Sequence, residues 1–321
     1  MSAVVVFIET DGDQVGLVSQ ETLTFARQLG DPVYALVLGS ATEGVVADCR
    51  EQGVAAIFEA ANEELGAYSG AAWGAALGSV VDAVGDVAAV VAGGTPRGNE
   101  VLAHLAARKD LPMAANVVGI AAQSADGLEV ERQVVGGAAI ENASLTGGTP
   151  VLTVAGHALE PAPADAPGGA AVLPFAADLT EKDLRARVAR VQAREGGDTS
   201  ALTGARIVVG AGRGAGGPDG FGPVDALASR LGGSVGVSRV VTSLGWRPHH
   251  EQVGQTGSRI SPDLYIACGI SGAIQHWAGC SSSKTIIAIN TDGDAPMVTK
   301  ANYAVVGDMH EVLPALLDQL K

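Results

Sequence analysis

Short runs of valine, alanine, leucine and isoleucine, each closed by glycine, proline or acids, alternate along this chain with longer segments of helical periodicity. In the N-terminal part the runs at 3–8, 33–38, 55–58 and 87–92 predict strands. The segments 19–29, 42–52, 65–84 and 97–109 predict helices. Strands alternating with helices imply a mostly parallel α/β sheet covered on both faces. After Pro112 the pattern changes. Strand-like runs at 117–122, 128–135, 138–145 and 151–154 are split by Asp126-Gly127, Gly136-Gly137 and Gly147-Gly148, which suits hairpins or antiparallel additions to the sheet. Residues 157–169 carry Pro161, Pro163 and Pro167, which excludes regular helix and central strand. A further strand is expected over 170–175, and 183–195 fits either helix or strand.

From 206 the alternation restarts. Strands are expected over 206–209, 234–237, 264–268, 285–290 and 303–306. Helices are expected over 222–231, from 272, and over 309–320. The pattern thus predicts an N-terminal α/β domain over 1–195 with added antiparallel strands, a linker over 196–205, and a C-terminal doubly wound, flavodoxin-like or Rossmann-like domain over 206–321. In open α/β sheets, ligands bind beyond the strand C-terminal ends. Here those ends carry Arg213, Ser238-Arg239, Ile270-Ser271, Asn290 and Gly307-Asp308.

The 321 residues suit two domains. With 47% hydrophobic but only 4% aromatic residues, the cores must be aliphatic. The net charge of −15 argues against a nucleic-acid surface or an anionic membrane surface, both of which need basic patches. The start of the chain lacks the basic segment of a signal peptide, and the apolar stretch 70–94 is broken by Asp82 and Asp86, so no membrane insertion is expected. Cys49, Cys268 and Cys280 are widely spaced and odd in number, which points to buried thiols and a reducing, cytoplasmic setting.

Gly210-x-Gly212-x-x-Ala215 after a strand matches a loose dinucleotide pattern, or simply a tight turn. The acid that would bind an NAD ribose is replaced by Ser238-Arg239, which removes the NAD reading. The loop Gln252-Val-Gly-Gln-Thr-Gly257 reads as a polar turn or as a ligand loop. The stretch Leu264-Tyr-Ile-Ala-Cys-Gly-Ile-Ser-Gly-Ala-Ile-Gln-His276 reads as strand, turn and helix start, where backbone N–H groups can hold a phosphate. The helix dipole should lower the His276 pKa. His249-His250-Glu251 resembles a metal cluster only superficially, because adjacent residues chelate one ion poorly, and no metal is expected. Catalytic carboxylate pairs, a nucleophile elbow and a P-loop lysine are absent from the sequence.

Val253-Gly-Gln-Thr-Gly257, the 264–276 stretch and Ser283-Lys-Thr-Ile-Ile-Ala-Ile-Asn290, in that order, resemble the α subunit of electron-transfer flavoproteins. Gly212-Arg-Gly214, Gly236-Val-Ser-Arg239, Ala295-Pro296 and Val306-Gly-Asp308 extend the likeness over the C-terminal part. The resemblance implies a heterodimer with a β subunit holding one FAD. It implies an electron carrier, taking electrons from flavin dehydrogenases to a membrane quinone reductase or another acceptor. It places Arg213, Ser238 and Arg239 near the flavin end, Thr256 within Val253, Gly254, Gln255 and Thr256 beside the ring, and His276 at its O2 edge. Ser271, Gly272, Ala273, Ile274 and Gln275 would hold the pyrophosphate, and Asn290 and Asp308 the adenosine half. Arg239, or a protonated His276, would stabilise negative charge on the reduced ring. The chain departs from the family at Thr242-Ser-Leu-Gly-Trp246, Asp219-Gly220, His249-His250, Trp277 and Ala301-Asn-Tyr303, around the motifs rather than in them, which fits a specialised paralogue. The alternatives are a flavin-dependent oxidoreductase acting directly on a metabolite, or a bifurcating subunit using NADH.

Overall fold

Five consecutive buried apolar residues form β1 (Ala3–Phe7), and a strand so apolar belongs inside a sheet covered on both faces. The computed structural model describes residues 2–124, 126–137, 139–156, 158–190 and 200–320. The chain divides into two units, Met1–Val134 with Ile140–Val191, and Val135–Ala139 with Gln192–Lys321.

In the first unit β1 is followed by the short hairpin β2 (Thr10–Asp11) and β3 (Gln14–Val15), then α1 (Leu17–Ala26), β4 (Val33–Leu38), α2 (Glu43–Glu51) and β5 (Ala56–Ala60). Next come α3 (Gly70–Val84), β6 (Val87–Gly93), α4 (Pro96–Lys109), β7 (Met113–Ser124), β8 (Gly127–Val134), β9 (Ala139–Leu145), β10 (Val151–Val154) and β11 (Ala171–Pro174). One sheet takes the order β11-β5-β4-β1-β6-β10-β7-β8-β9. The helices start where side chains can cap them. Thr42, Ser69 and Thr95 each accept a backbone N–H from the first turn of α2, α3 and α4, and Pro96 opens α4 without wasting a donor.

Three expectations for this unit are corrected. The helix expected over 65–84 is two elements: a 3-10 turn at Glu63–Leu65, then α3, whose start is fixed by Ser69. Of the segments grouped as antiparallel additions, β7 and β8 do form an antiparallel pair, but β10 runs parallel between β6 and β7. All four of its residues are buried, which an inserted central strand requires. Residues 183–190 are neither helix nor strand. Asp183 closes a turn instead, its carboxylate accepting from the Thr180 N–H and hydroxyl, both at 2.8 Å, while pairing with Arg108. The rest of the expected 183–195 element, residues 191–195, and residues 196–199 of the expected linker lie outside the described residues.

The second unit runs α5 (Ser200–Thr203), β12 (Ile207–Ala211), α6 (Gly222–Arg230), β13 (Ser234–Val237), α7 (Arg239–Ser243), β14 (Leu264–Cys268), α8 (Ile274–Cys280), β15 (Thr285–Asn290), α9 (Pro296–Lys300), β16 (Tyr303–Val306) and α10 (Met309–Gln319). Its five strands are all parallel in the order β13-β12-β14-β15-β16. That is a doubly wound sheet in which the direction of winding reverses between β12 and β14. Apolar side chains pack on both faces, Val209, Phe221, Leu227, Ile266 and Leu313 on one and Val208, Tyr265, Ile286 and Met297 on the other. Arg239, expected at the end of β13, instead opens α7. Among the described residues, no helix is long and apolar enough to cross a membrane.

Candidate functional site

The loops that leave β12 and β14 touch at the point where the sheet reverses. Gly212 N–H donates to Cys268 O at 3.0 Å, and Gly214 N–H to Gly269 O at 3.1 Å. A Cβ on Gly212 would lie 2.4 Å from Gly269 O, and one on Gly214 would lie 2.5 Å from Gly269 Cα. Backbones so close admit only glycine, so the dinucleotide-like glycines serve here to bring two loops together. Gly210 has a different task. It leaves room for the Tyr265 hydroxyl, which a Cβ would meet at 2.3 Å.

A cleft of about 510 Å³ opens over this junction. Of the residues expected at a ligand site, it brings together Arg213, Ser238, Ser271, Asn290 and Asp308. Ser238 stands between β13 and α7 and is buried, yet its Oγ has no hydrogen-bond partner. Ser271 is exposed, and Gly272 turns the chain toward α8 with φ 77°. Asn290 and Asp308 have structural tasks as well. Asn290 Nδ2 donates to Ile270 O at 3.0 Å and its Oδ1 accepts from Asp292 N–H, tying two cleft loops together. Asp308 caps α10 by accepting from His310 N–H at 2.9 Å.

Arg239 is exposed and lies outside the cleft lining; the 253–256 loop and residues 272–276, among them the buried Val253 and His276, also lie outside that lining. These last two groups meet each other. Gln255 N–H donates to Gln275 O at 2.7 Å, and Gly279 of α8 sits against the Gly254 backbone, where a Cβ would come within 2.3 Å. The loop is held to the sheet by Val253 N–H donating to Val237 O at 2.9 Å, next to Ser238. Its far end folds back, with Ser258 N–H donating to Gln252 O.

His276 differs from its expected state. It is buried, with Nε2 2.8 Å from the Tyr265 hydroxyl. Burial lowers its pKa to about 4, and the Val253 backbone, which acts in the opposite direction, does not give Nδ1 a hydrogen bond of good geometry. The ring is therefore neutral at pH 7 with Nδ1 unpaired, in the direction expected from the sequence, and the alternative in which a protonated His276 stands in for Arg239 is not the state of this structure. The lowering that was expected from the helix dipole comes from desolvation. All three cysteines are buried, with thiol pKa values pushed up to about 12 by burial.

Sequence reasoning missed Gln252, Thr242 and Tyr265 as supports of this region. Gln252 is 2% exposed; its Oε1 accepts from Thr242 Oγ1 at 2.6 Å and its Nε2 donates to Thr256 Oγ1 at 3.0 Å. A glutamine directly before the apolar start of a ligand loop was the available signal.

A glycine-lined cleft at the reversal point of a parallel sheet, edged by hydroxyls and an arginine, defines a nucleotide-cofactor-binding α/β protein. Comparison with known families narrows this. Residues 4–180 match the electron transfer flavoprotein domain, and residues 201–281 match the electron transfer flavoprotein FAD-binding domain. The chain is 37% identical to the electron transfer flavoprotein subunit alpha of Mycobacterium leprae, over 100% of this chain and 99% of that one. It is 34% identical to the subunit of the same name from Syntrophomonas wolfei, over the whole of both chains, and 34% identical to protein FixB of Clostridium saccharobutylicum, over 98% and 95%. The chain belongs to the α-subunit family of electron transfer flavoproteins, electron carriers that pair with a β subunit, and its second unit is the FAD-binding domain.

Proposed function

We propose that FAD lies across the cleft at the β12–β14 junction, and that the α–β heterodimer carries electrons from a flavin dehydrogenase to a membrane quinone reductase or a comparable acceptor. The isoalloxazine ring supplies the redox chemistry. The residues of this chain bind and orient it. In this reading Arg213, Ser238, Arg239, the Val253-Gly-Gln-Thr256 loop and His276 surround the ring end. Ser271, Gly272, Ala273, Ile274 and Gln275 receive the pyrophosphate, and Asn290 and Asp308 border the adenosine half.

The observation that carries the assignment is the orphaned Ser238 Oγ, a buried hydroxyl in the cleft wall without a partner. Buried polar atoms are rarely left unpaired, and a cofactor oxygen or nitrogen would complete this one. The backbone approach of Gly212 and Gly214 to Gly269 supports the same reading, because it leaves a floor without side chains for a flat or phosphorylated ligand. The neutral His276 offers a hydrogen bond rather than a charge, which leaves Arg213 and Arg239 as the cations of this end.

The test is co-expression with the β subunit and purification of the complex. A yellow heterodimer with one FAD released per α chain is expected, reduced by a flavin dehydrogenase and reoxidised by a quinone reductase. A complex that stays colourless in excess FAD refutes the reading.

A further inference from the structure

The Thr242–Gln252–Thr256 hydrogen bonds form a continuous file from α7 to the ligand loop. We infer that Thr242 and Gln252 are positioning residues that decide whether Thr256 presents a donor or a lone pair to its ligand. The inference rests on the proposed placement of FAD.

The file can run in only two directions, because each hydroxyl owns one proton and a primary amide has one accepting and one donating end. In the first, Thr242 Oγ1 donates to Gln252 Oε1, and Gln252 Nε2 donates to Thr256 Oγ1. The Thr256 proton is then free to be donated outward. In the second, Thr242 donates to Arg239 O, its other acceptor, and the amide is turned over. Nε2 then donates to Thr242, and Thr256 spends its proton on Oε1, leaving only lone pairs outward.

The distances choose between them. Thr242 Oγ1 lies 2.6 Å from Gln252 Oε1 but 3.0 Å from Arg239 O. The short contact holds the file in the first direction, and Thr256 is set as a donor. Gln252 cannot drift, since its backbone N–H donates to His249 O and its carbonyl accepts from Ser258 N–H at 2.7 Å. A Cβ on Gly257 would meet that carbonyl at 2.2 Å, so the turn closes only around glycine.

An oxidised flavin ring offers acceptors along its edge, and they become more basic as electrons are added. A donor fixed there stabilises the reduced ring. Removing Thr242's proton removes the bias on the amide, and Thr256 is recaptured by Oε1. No bond or proton is transferred in this change; only the direction of the file reverses.

The test compares Thr242→Val, Thr242→Ser, Gln252→Leu and Thr256→Val in the heterodimer. Thr242→Val is isosteric, and Thr242→Ser keeps the hydroxyl. Thr242→Val is expected to shift the two-electron reduction equilibrium of the bound flavin about tenfold toward the oxidised ring, ~30 mV in potential, with FAD content and Tm unchanged. Thr242→Ser restores the potential, and Gln252→Leu, which leaves no Oε1 to capture the Thr256 proton, shifts it less than Thr242→Val does. In the FAD-free heterodimer, ¹⁵N spectra are expected to show a shifted Gln252 side-chain amide in Thr242→Val and a native one in Thr242→Ser, a readout independent of electron transfer. If Thr256→Val lowers the potential while Thr242→Val does not, or if Gln252→Leu lowers it as much as Thr242→Val, the file is refuted and the FAD site stands. If Thr256→Val alters neither potential nor FAD affinity, the ring does not lie at this loop and both fall.

Discussion

Acidification from pH 7 to pH 4 should destabilise the second unit through His276. The imidazole is 6% exposed and faces the Tyr265 hydroxyl, and burial lowers its pKa from 6.5 to about 4. A lowered pKa on a base means that the native state binds a proton less readily than the unfolded chain. Between pH 6.5 and about 4 the unfolded chain is protonated at this position and the native chain is not, so stability falls as pH falls through that window. Each pKa unit corresponds to about 1.36 kcal/mol, which makes the full loss about 3 kcal/mol. Asp263, whose pKa is lowered first by its hydrogen bond to Lys284 and then by Arg206, acts outside the window, with a loss that starts near its ordinary value of 3.8. Urea unfolding at fixed ionic strength, followed by tryptophan fluorescence, would compare the native sequence with His276→Gln, which cannot take up the charge. The difference between the two curves should grow by about 3 kcal/mol across the window. Parallel curves for the two proteins, or an NMR titration of the His276 ring with a midpoint above 6, would refute the reasoning.

Two substitutions separate binding from folding in the cleft. Ser238→Ala removes a buried hydroxyl that has no partner in the protein, so it should leave the stability of the FAD-free chain unchanged or slightly raised, while FAD affinity falls about five- to tenfold; equilibrium dialysis and a melting curve read the two effects, and a large drop in Tm without FAD would contradict it. Gly272→Ala should destabilise the FAD-free protein itself, because Gly272 holds φ 77° and a Cβ there would lie 2.3 Å from Met297 N. The left-handed conformation costs about 1–2 kcal/mol and the overlap about as much again, so FAD-free protein should unfold about 2–4 kcal/mol more easily, measured by denaturant midpoint.

What the sequence disclosed of this protein depended on whether the deciding interaction was local. The five strands of the second unit announced themselves because each is a short apolar run closed by a glycine or a polar turn, and their carboxyl ends could be aligned before any packing was known. Arg213, Ser238, Ser271, Asn290 and Asp308 converge for that reason alone. The short helices α7 and α9 have five residues each, too few for a helical period to rise above the surrounding composition. The place of β10 was hidden for another reason. Val-Leu-Thr-Val suits an antiparallel edge and a buried parallel strand equally, and only its neighbours β6 and β7 decide. The same limit governs His276. Its position at the start of α8 was visible, and so was the direction of its pKa shift. Its charge state was not, because that is set by Tyr265 across the strand-to-helix turn and by the walls that exclude water from both. A histidine that the sequence offered as the alternative to Arg239 for a charged group is, once buried, a neutral hydrogen-bonding group. In the proposed placement of FAD, the positive charge at the ring then comes from Arg213 and Arg239, and the fine adjustment from uncharged groups such as Thr256 whose protons the surrounding protein directs.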